Sequence, residues 1–174
     1  VLDRYYQCAK NFSIDTIVRI TADNPLIDPT IVDDLIKKFT LNLYDYLTNS
    51  HIRSFPYGTE VEIFSFKALE KAWKNAKKPS EREHVTPYLY NNSNNFKIFN
   101  VEHSKNISNL RWTIDSKNDL SLVKLIISKI KKRPILMNDI LNLFSKEPEL
   151  FEINRNHILN EGYQKSLKED EEYL

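Results

Sequence analysis

Asp23 and Asp115 are the residues best placed to do chemistry in this chain. Asp23 follows the run Asp15-Thr16-Ile17-Val18-Arg19-Ile20-Thr21, and Asp115 follows Leu110-Arg111-Trp112-Thr113-Ile114. Both runs read as strands, and α/β folds bind ligands in the crevice beyond the carboxyl ends of their strands. Two carboxylates brought together there suit a hard cation such as Mg²⁺, which takes oxygen ligands and shares its shell with substrate phosphates and water. Each aspartate alone reads equally as a turn or helix-start residue, and spacing leaves both readings open. Arg19 lies inside one run and Arg111 near the start of the other, so each guanidinium needs a partner: a structural carboxylate, or a phosphate or carboxylate ligand. For Arg19 the core ion pair is the simpler reading. Glu60 and Glu62 share one face of a strand that either meets solvent or lines a pocket for a polyol. Ser80-Glu81-Arg82-Glu83-His84 is dense in polar groups, which a surface helix start also explains. His51, His103 and His157 lack carboxylates at zinc-ligand spacing, and Lys131-Lys132-Arg133 reads as charge at a helix C-terminus rather than a nucleic-acid contact.

Composition removes several classes. The chain has 174 residues, 41% apolar and 28% charged, which fits one globular domain, or a domain plus a tail. Lys and Arg number 25 against 24 Asp and Glu, a net charge of +1 that argues against a general nucleic-acid binder or an anionic-membrane binder. The single cysteine, Cys8, can form neither an internal disulfide nor a thiolate zinc cluster, so a reducing cytoplasm is expected. No apolar run approaches the ~20 residues of a bilayer span. There are two glycines, Gly58 and Gly162, so neither a P-loop, nor a G-x-G-x-x-G turn, nor a nucleophile elbow can be built from this sequence.

Positioning the aspartates requires alternating strands and helices. Val1–Lys10 has helical spacing, with Leu2, Tyr5, Tyr6 and Ala9 on one stripe, and opens without a cap, as if residues upstream were missing. Asp15–Thr21 is nearly all β-branched, which predicts a strand buried on both faces of a parallel sheet. Asp28 caps a helix with Pro29 at its first position and Ile31, Val32, Leu35, Ile36 and Phe39 inward. Tyr44–Asn49 and the alternating Thr59–Phe64 predict two more strands. Ser65 caps a helix carrying Ala68, Leu69, Ala72 and Trp73, and Ser80 caps a short one with Glu83 at capping-box spacing. Phe96–Val101 and Leu110–Ile114 read as strands. Ser116–Lys132 reads as a helix packing through Leu120, Val123, Leu125, Ile126, Ile127 and Ile130. Met137–Phe144 and Glu149–Leu159 are helical patterns, and Lys165–Tyr173 is a charged tail expected to fray. The pattern gives an α/β domain over 1–146, with 147–174 as a C-terminal helix and tail packed on it or trailing from it.

Read together, five segments in one order resemble the cytidylyltransferases of the spore-coat polysaccharide biosynthesis type. They are Val1-Leu2-Asp3-Arg4-Tyr5-Tyr6, Arg19-Ile20-Thr21-Ala22-Asp23-Asn24-Pro25-Leu26-Ile27-Asp28-Pro29, Gly58-Thr59-Glu60-Val61-Glu62-Ile63-Phe64, Ser80-Glu81-Arg82-Glu83-His84-Val85-Thr86-Pro87-Tyr88 and Leu110-Arg111-Trp112-Thr113-Ile114-Asp115. Glu152-Ile153-Asn154-Arg155 and Asn160-Glu161-Gly162-Tyr163-Gln164-Lys165-Ser166-Leu167 fit as well. The family is related to the synthetases that make CMP-activated acidic sugars. The resemblance implies a three-layer α/β/α sandwich of the nucleotide-diphospho-sugar transferase type. It implies transfer of CMP from CTP to a sugar, Mg²⁺ on Asp23 and Asp115, and a homodimer. It makes Arg19, Thr21, Asn24, Glu60, Glu62, Arg82, His84, Arg111 and Thr113 candidates for substrate binding. The family's opening strand and triphosphate loop, which resembles Q-A-R-x-G-S-x-R-L-P-G-K, has no counterpart here, so an N-terminally truncated, weakly active chain is expected. Ala22 stands where the family commonly has Gly. Two other functions remain open: a metal-dependent glycosyltransferase of related fold, and a non-catalytic sugar-binding or assembly module.

Overall fold

The computed structural model describes residues 1–155 and 161–173, with only the backbone of Glu161. His157, Asn160 and the last part of the helical pattern at Glu149–Leu159 lie outside the described residues. The sheet is built around β2 (Tyr46–Thr48), which pairs parallel with β4 (Ile98–Asn100) on one side and antiparallel with β3 (Glu62–Ser65) on the other. β3 in turn pairs antiparallel with β1 (Thr16–Arg19), giving the order β1-β3-β2-β4.

Neighbouring residues on a strand point to opposite faces, and here both faces are covered. Tyr46 and Phe64 pack under α1 (Leu2–Asn11), α3 (Phe66–Asn75) and α5 (Pro87–Asn91), with Leu2, Tyr6, Leu69, Ala72 and Leu89 buried. Leu47 and Ile63 face the second core, formed with α2 (Pro29–Asn42), α6 (Lys117–Lys129) and α7 (Met137–Lys146) through Leu35, Phe39, Leu122, Ile126 and Ile140. This is the expected three-layer α/β/α arrangement. Asp28 caps α2 as its sequence position suggested, accepting from Thr30 N–H at 2.8 Å, and its other oxygen accepts from Met137 N–H at 2.7 Å. One buried carboxylate thus fixes the starts of two helices. Ser65 caps α3, also as expected, and Ser116 caps α6. The Arg133 guanidinium sits on the carbonyls of Ile127 and Ile130, capping the end of α6.

Five expectations are corrected. β1 is not buried on both faces: it is the outermost strand and its residues alternate between exposed and half-buried. A β-branched run specifies extended backbone but not the number of neighbours. The sheet is mixed rather than parallel. Leu110–Ile114 is extended but forms only an isolated bridge, Arg111 to Tyr57. On α6, Val123 and Ile126 are buried as expected, but Leu120, Leu125 and Ile127 face outward and Leu122 fills the core in their place. Ser80 lies inside α4 (Pro79–His84) rather than capping it; Glu81 accepts from Lys77 and Lys78 N–H at the start of that helix.

The tail is not frayed either. It forms α8 (Glu161–Tyr173), which packs on α4. Asp170 is buried and accepts from Ser80 N–H at 2.8 Å and Ser80 Oγ at 2.6 Å. His84 Nε2 and Ser166 Oγ lie 3.1 Å apart, and the Tyr163 ring meets the His84 ring edge-on. Burial pushes the His84 pKa down; Glu83, Glu62 and Asp170 pull it up and Arg19 pulls it down. A histidine held below its unfolded value of about 6.5 contributes stability above that pH and loses it as the pH falls toward the folded pKa. The urea midpoint should therefore drop between pH 7.5 and 5, and His84→Gln should flatten that portion of the profile. Parallel profiles for the two proteins would contradict this.

Candidate functional site

The turn after β1 is tied to the segment before α6. Asn24 N–H donates to the Thr21 carbonyl and Asn24 Nδ2 to Thr21 Oγ1, both at 3.2 Å, which closes the turn at Thr21–Asn24. Within it, the Asp23 carbonyl accepts from Ile114 N–H at 2.8 Å and Thr113 Oγ1 at 3.1 Å. Asp115 is the residue after that pairing, so the two aspartates stand on neighbouring stretches of backbone although the second stretch is not a strand. On its other side the segment is held by Tyr57, whose N–H donates to Leu110 O and whose carbonyl accepts from Trp112 N–H at 2.8 Å. Gly58 then passes directly against Trp112 with φ +107°.

Arg111 is buried beneath this junction. Its Nη2 donates to Asp115 Oδ2 at 2.5 Å, and its Nε and Nη2 donate to the two oxygens of Asp119 at 3.0 and 3.2 Å. Asp119 also accepts from the N–H groups of Asp115 and Ser116, from Ser116 Oγ, and from Asn154 Nδ2 at 2.7 Å. Burial alone would raise the Asp119 pKa; the hydrogen bonds from Arg111, Asn154 and Ser116 outweigh it and hold the carboxyl well below the usual range.

The other candidates divide into separate places. Arg19 pairs with Glu62, whose Oε1 also accepts from Tyr46 OH at 2.7 Å and Thr86 OH at 2.6 Å. Thr86 reaches Glu62 from a strained γ-turn, with Val85 at φ +74° and Thr86 N–H on the His84 carbonyl. Glu60 pairs with Arg53 at 2.6 Å and accepts from Gly58 N–H, while the Arg53 guanidinium lies 3.7 Å above the Tyr57 ring. Glu60 and Glu62 therefore serve different clusters. Arg82 donates to the carbonyls of Trp73 and Ala76, at the junction of α3 and α4. Thr21, Asn24, Arg111 and Thr113 are gathered with Asp23 and Asp115; Arg19, Glu62 and His84 belong to the group under α4 and α5. Sequence reasoning missed Asp119, Asn154, Arg53, Tyr46 and Thr86. Asp119 carried a local signal, since Ser116 and Asp119 stand at capping-box spacing, and Thr86 and Asn154 lay in segments that carried the resemblance without being singled out.

Two oxygens at the turn are buried and lack a hydrogen-bond partner among the described residues: Asp23 Oδ1 and Asn24 Oδ1. A carboxylate oxygen left this way is costly unless something binds it. Asp115 follows the stretch of backbone paired with this turn, so the two residues offer oxygen donors only, which fits a hard divalent cation. Among the described residues no group of three or more His, Cys, Asp or Glu forms a cluster for a metal, so such an ion would take two protein carboxylates and fill its shell with phosphate and water.

A family model described as Cytidylyltransferase matches residues 1–163. The chain belongs to the cytidylyltransferase family. A solved cytidylyltransferase from Leptospira borgpetersenii superposes with a TM-score of 0.84 at 34% identity, covering 91% of this chain and 66% of its own. An uncharacterized Methanocaldococcus jannaschii protein, MJ1063, is 39% identical over 174 residues, 99% of this chain and 68% of that protein. The Bacillus subtilis spore coat polysaccharide biosynthesis protein SpsF is 27% identical over 153 residues, 86% of this chain and 62% of its own length. The chain thus spans about two thirds of the length of these relatives. The α/β/α layers and the mixed sheet are the family fold.

Proposed function

We propose that this chain is the greater part of a cytoplasmic CMP-sugar synthetase, which transfers CMP from CTP to a hydroxyl of an acidic sugar with release of pyrophosphate. The product would feed cell-surface polysaccharide or glycan synthesis, and the working unit would be a homodimer. Family membership supports nucleotidyl transfer, and the likeness to SpsF supports a sugar acceptor. The observation that carries the reading is the buried Asp23 oxygen, without a hydrogen-bond partner among the described residues, set on the backbone that pairs with the stretch leading to Asp115. No described helix is long and apolar enough to cross a membrane.

In this reading Asp23 and Asp115 hold Mg²⁺. The bound ion would neutralise the triphosphate, orient it for in-line attack, stabilise the leaving pyrophosphate and acidify the attacking hydroxyl. The chain's own residues do the rest. The Thr21–Asn24 turn fixes the Asp23 carboxylate, and Asn24 Oδ1 is an acceptor for a substrate donor. Thr113 Oγ1 locks the turn to the segment before Asp115. Arg111, already paired with two carboxylates, steadies Asp115 rather than reaching for a sugar carboxylate. Arg53, paired with Glu60, and Arg111 both lie over the Tyr57 ring.

The natural full-length protein, given CTP, Mg²⁺ and a panel of acidic sugars, should release pyrophosphate with at least one of them, and Asp23→Asn or Asp115→Asn should lower the rate about 100-fold or more. Release of a nucleoside diphosphate from a sugar nucleotide would favour the glycosyltransferase reading. Silence across the panel, with no binding of CTP and Mg²⁺, would favour a non-catalytic module.

A further inference from the structure

We propose that Arg19 determines specificity for the acid group of the acceptor sugar: the edge of its guanidinium formed by Nε and Nη2 receives that oxyanion. This rests on the synthetase reading above. Arg19 is the last residue of β1, and 17% of its side chain is exposed. Among the described residues it uses one of its five N–H donors, from Nη1 to Glu62 Oε2. Its Nε is buried and has no hydrogen-bond partner among those residues. A buried donor left this way is costly unless something accepts from it. Glu62 cannot be that acceptor, because its Oε2 takes Arg19 Nη1 and its Oε1 takes the hydroxyls of Tyr46 and Thr86. The ion pair therefore holds the guanidinium by one nitrogen and leaves the edge where Nε and Nη2 donate in parallel. That edge is the fork that matches a carboxylate with two bonds.

The position of Arg19 in the fold points the same way. Four buried side-chain atoms lack a hydrogen-bond partner among the described residues, and three of them belong to Arg19, Asp23 and Asn24. These lie at or just beyond the carboxyl end of β1, where α/β sheets bind ligands. The fourth, Trp112 Nε1, belongs to the stretch whose Thr113 and Ile114 donate to the Asp23 carbonyl. Asp23 and Asn24 offer acceptors there, and Arg19 is the cationic donor. A sugar carboxylate and a nucleotide phosphate are both oxyanions that suit a guanidinium. Charge favours the carboxylate, since Glu62 already offsets Arg19 and opposes a single negative charge less than it opposes a triphosphate.

Arg19→Lys keeps a cation beside Glu62 but removes the fork. It is compared with wild type in the natural full-length protein, with CTP, Mg²⁺ and the acidic sugars of the panel, each beside its neutral carboxamide. Expected is about a ten-fold or greater rise in KM for the acid, with a smaller change in kcat and an unchanged KM for CTP. The preference for acid over carboxamide should also be lost. A folded variant with wild-type KM values and wild-type preference overturns the proposal. A rise confined to the KM for CTP also overturns it, and gives the edge to a phosphate instead. Wild-type protein that turns over no sugar of the panel removes the synthetase reading. In that case, or if Arg19→Lys fails to fold, the Arg19 ¹⁵Nε–¹Hε signal of the wild-type protein is titrated with the same acids and carboxamides. A signal moved by an acid and not by its carboxamide supports the proposal; a signal unmoved by every acid overturns it.

Discussion

Gly58→Ala is expected to destabilise the fold by about 3 kcal/mol or more, the sum of a backbone penalty and an overpacking penalty. Gly58 sits at φ +107°, a conformation that side-chain-bearing residues rarely adopt. A Cβ there would lie 2.6 Å from Trp112 Cδ1, 2.9 Å from Thr113 N and 3.0 Å from the Trp112 carbonyl carbon. Two of these are backbone atoms, and the Trp112 ring is fully buried, so no flexible side-chain end can swing aside. The segment that must yield is Trp112–Thr113, and it leads directly to Asp115. The variant should therefore lose candidate-site geometry as well as stability. Urea unfolding followed by tryptophan fluorescence reads the first effect. A midpoint within about 0.5 kcal/mol of wild type would show that this close approach does not constrain the fold.

Glu62→Ala should be comparably damaging, about 3–5 kcal/mol, the usual cost of stranding a buried charge. Glu62 is the shared acceptor of a guanidinium and two buried hydroxyls, joining β1, β2, β3 and the start of α5. Burial works to lower the Arg19 pKa, but Glu62 outweighs it and holds the group firmly charged, so Arg19 cannot escape by losing its proton. Burial, reinforced by Glu62, raises the Tyr46 pKa well above its ordinary value and keeps that hydroxyl a donor. Removing Glu62 leaves all three without their acceptor. Arg19→Met with Glu62→Met should cost less than Glu62→Ala alone, because the double change removes both charges together. A double variant that is less stable than the single one by thermal melting would mean that Arg19 and Glu62 do not act as a pair.

Much of this was readable from residue patterns, and the failures have physical causes. The caps Asp28 and Ser65 were legible because a short polar side chain before an apolar stripe has one local use. The layers came with the family resemblance, and the apolar pairs Tyr46-Leu47 and Ile63-Phe64 meet a core on each face. The strand partners were not legible, since pairing depends on contacts far along the chain. Thr59–Val61 shows why: its backbone is held by the Asn49 side chain, which donates to Thr59 O and accepts from Val61 N–H, so a strand-like sequence is extended without belonging to a strand. The order of α8 was hidden because its charged composition looks solvated, while Ser166 and Asp170 face α4. Asp23 and Asp115 could be selected from their positions after two β-like runs, but Asn154 could not, because nothing local marks an amide that serves a residue on another helix.

Anomalous diffraction from crystals of the protein grown with CTP and Mn²⁺ addresses the divalent site most directly. A single manganese peak bound by carboxylate oxygens of both Asp23 and Asp115, with a triphosphate oxygen in the same shell, is the expected result. A nucleotide held with no manganese between those two side chains, or with the ion bound at some other cluster, would contradict it.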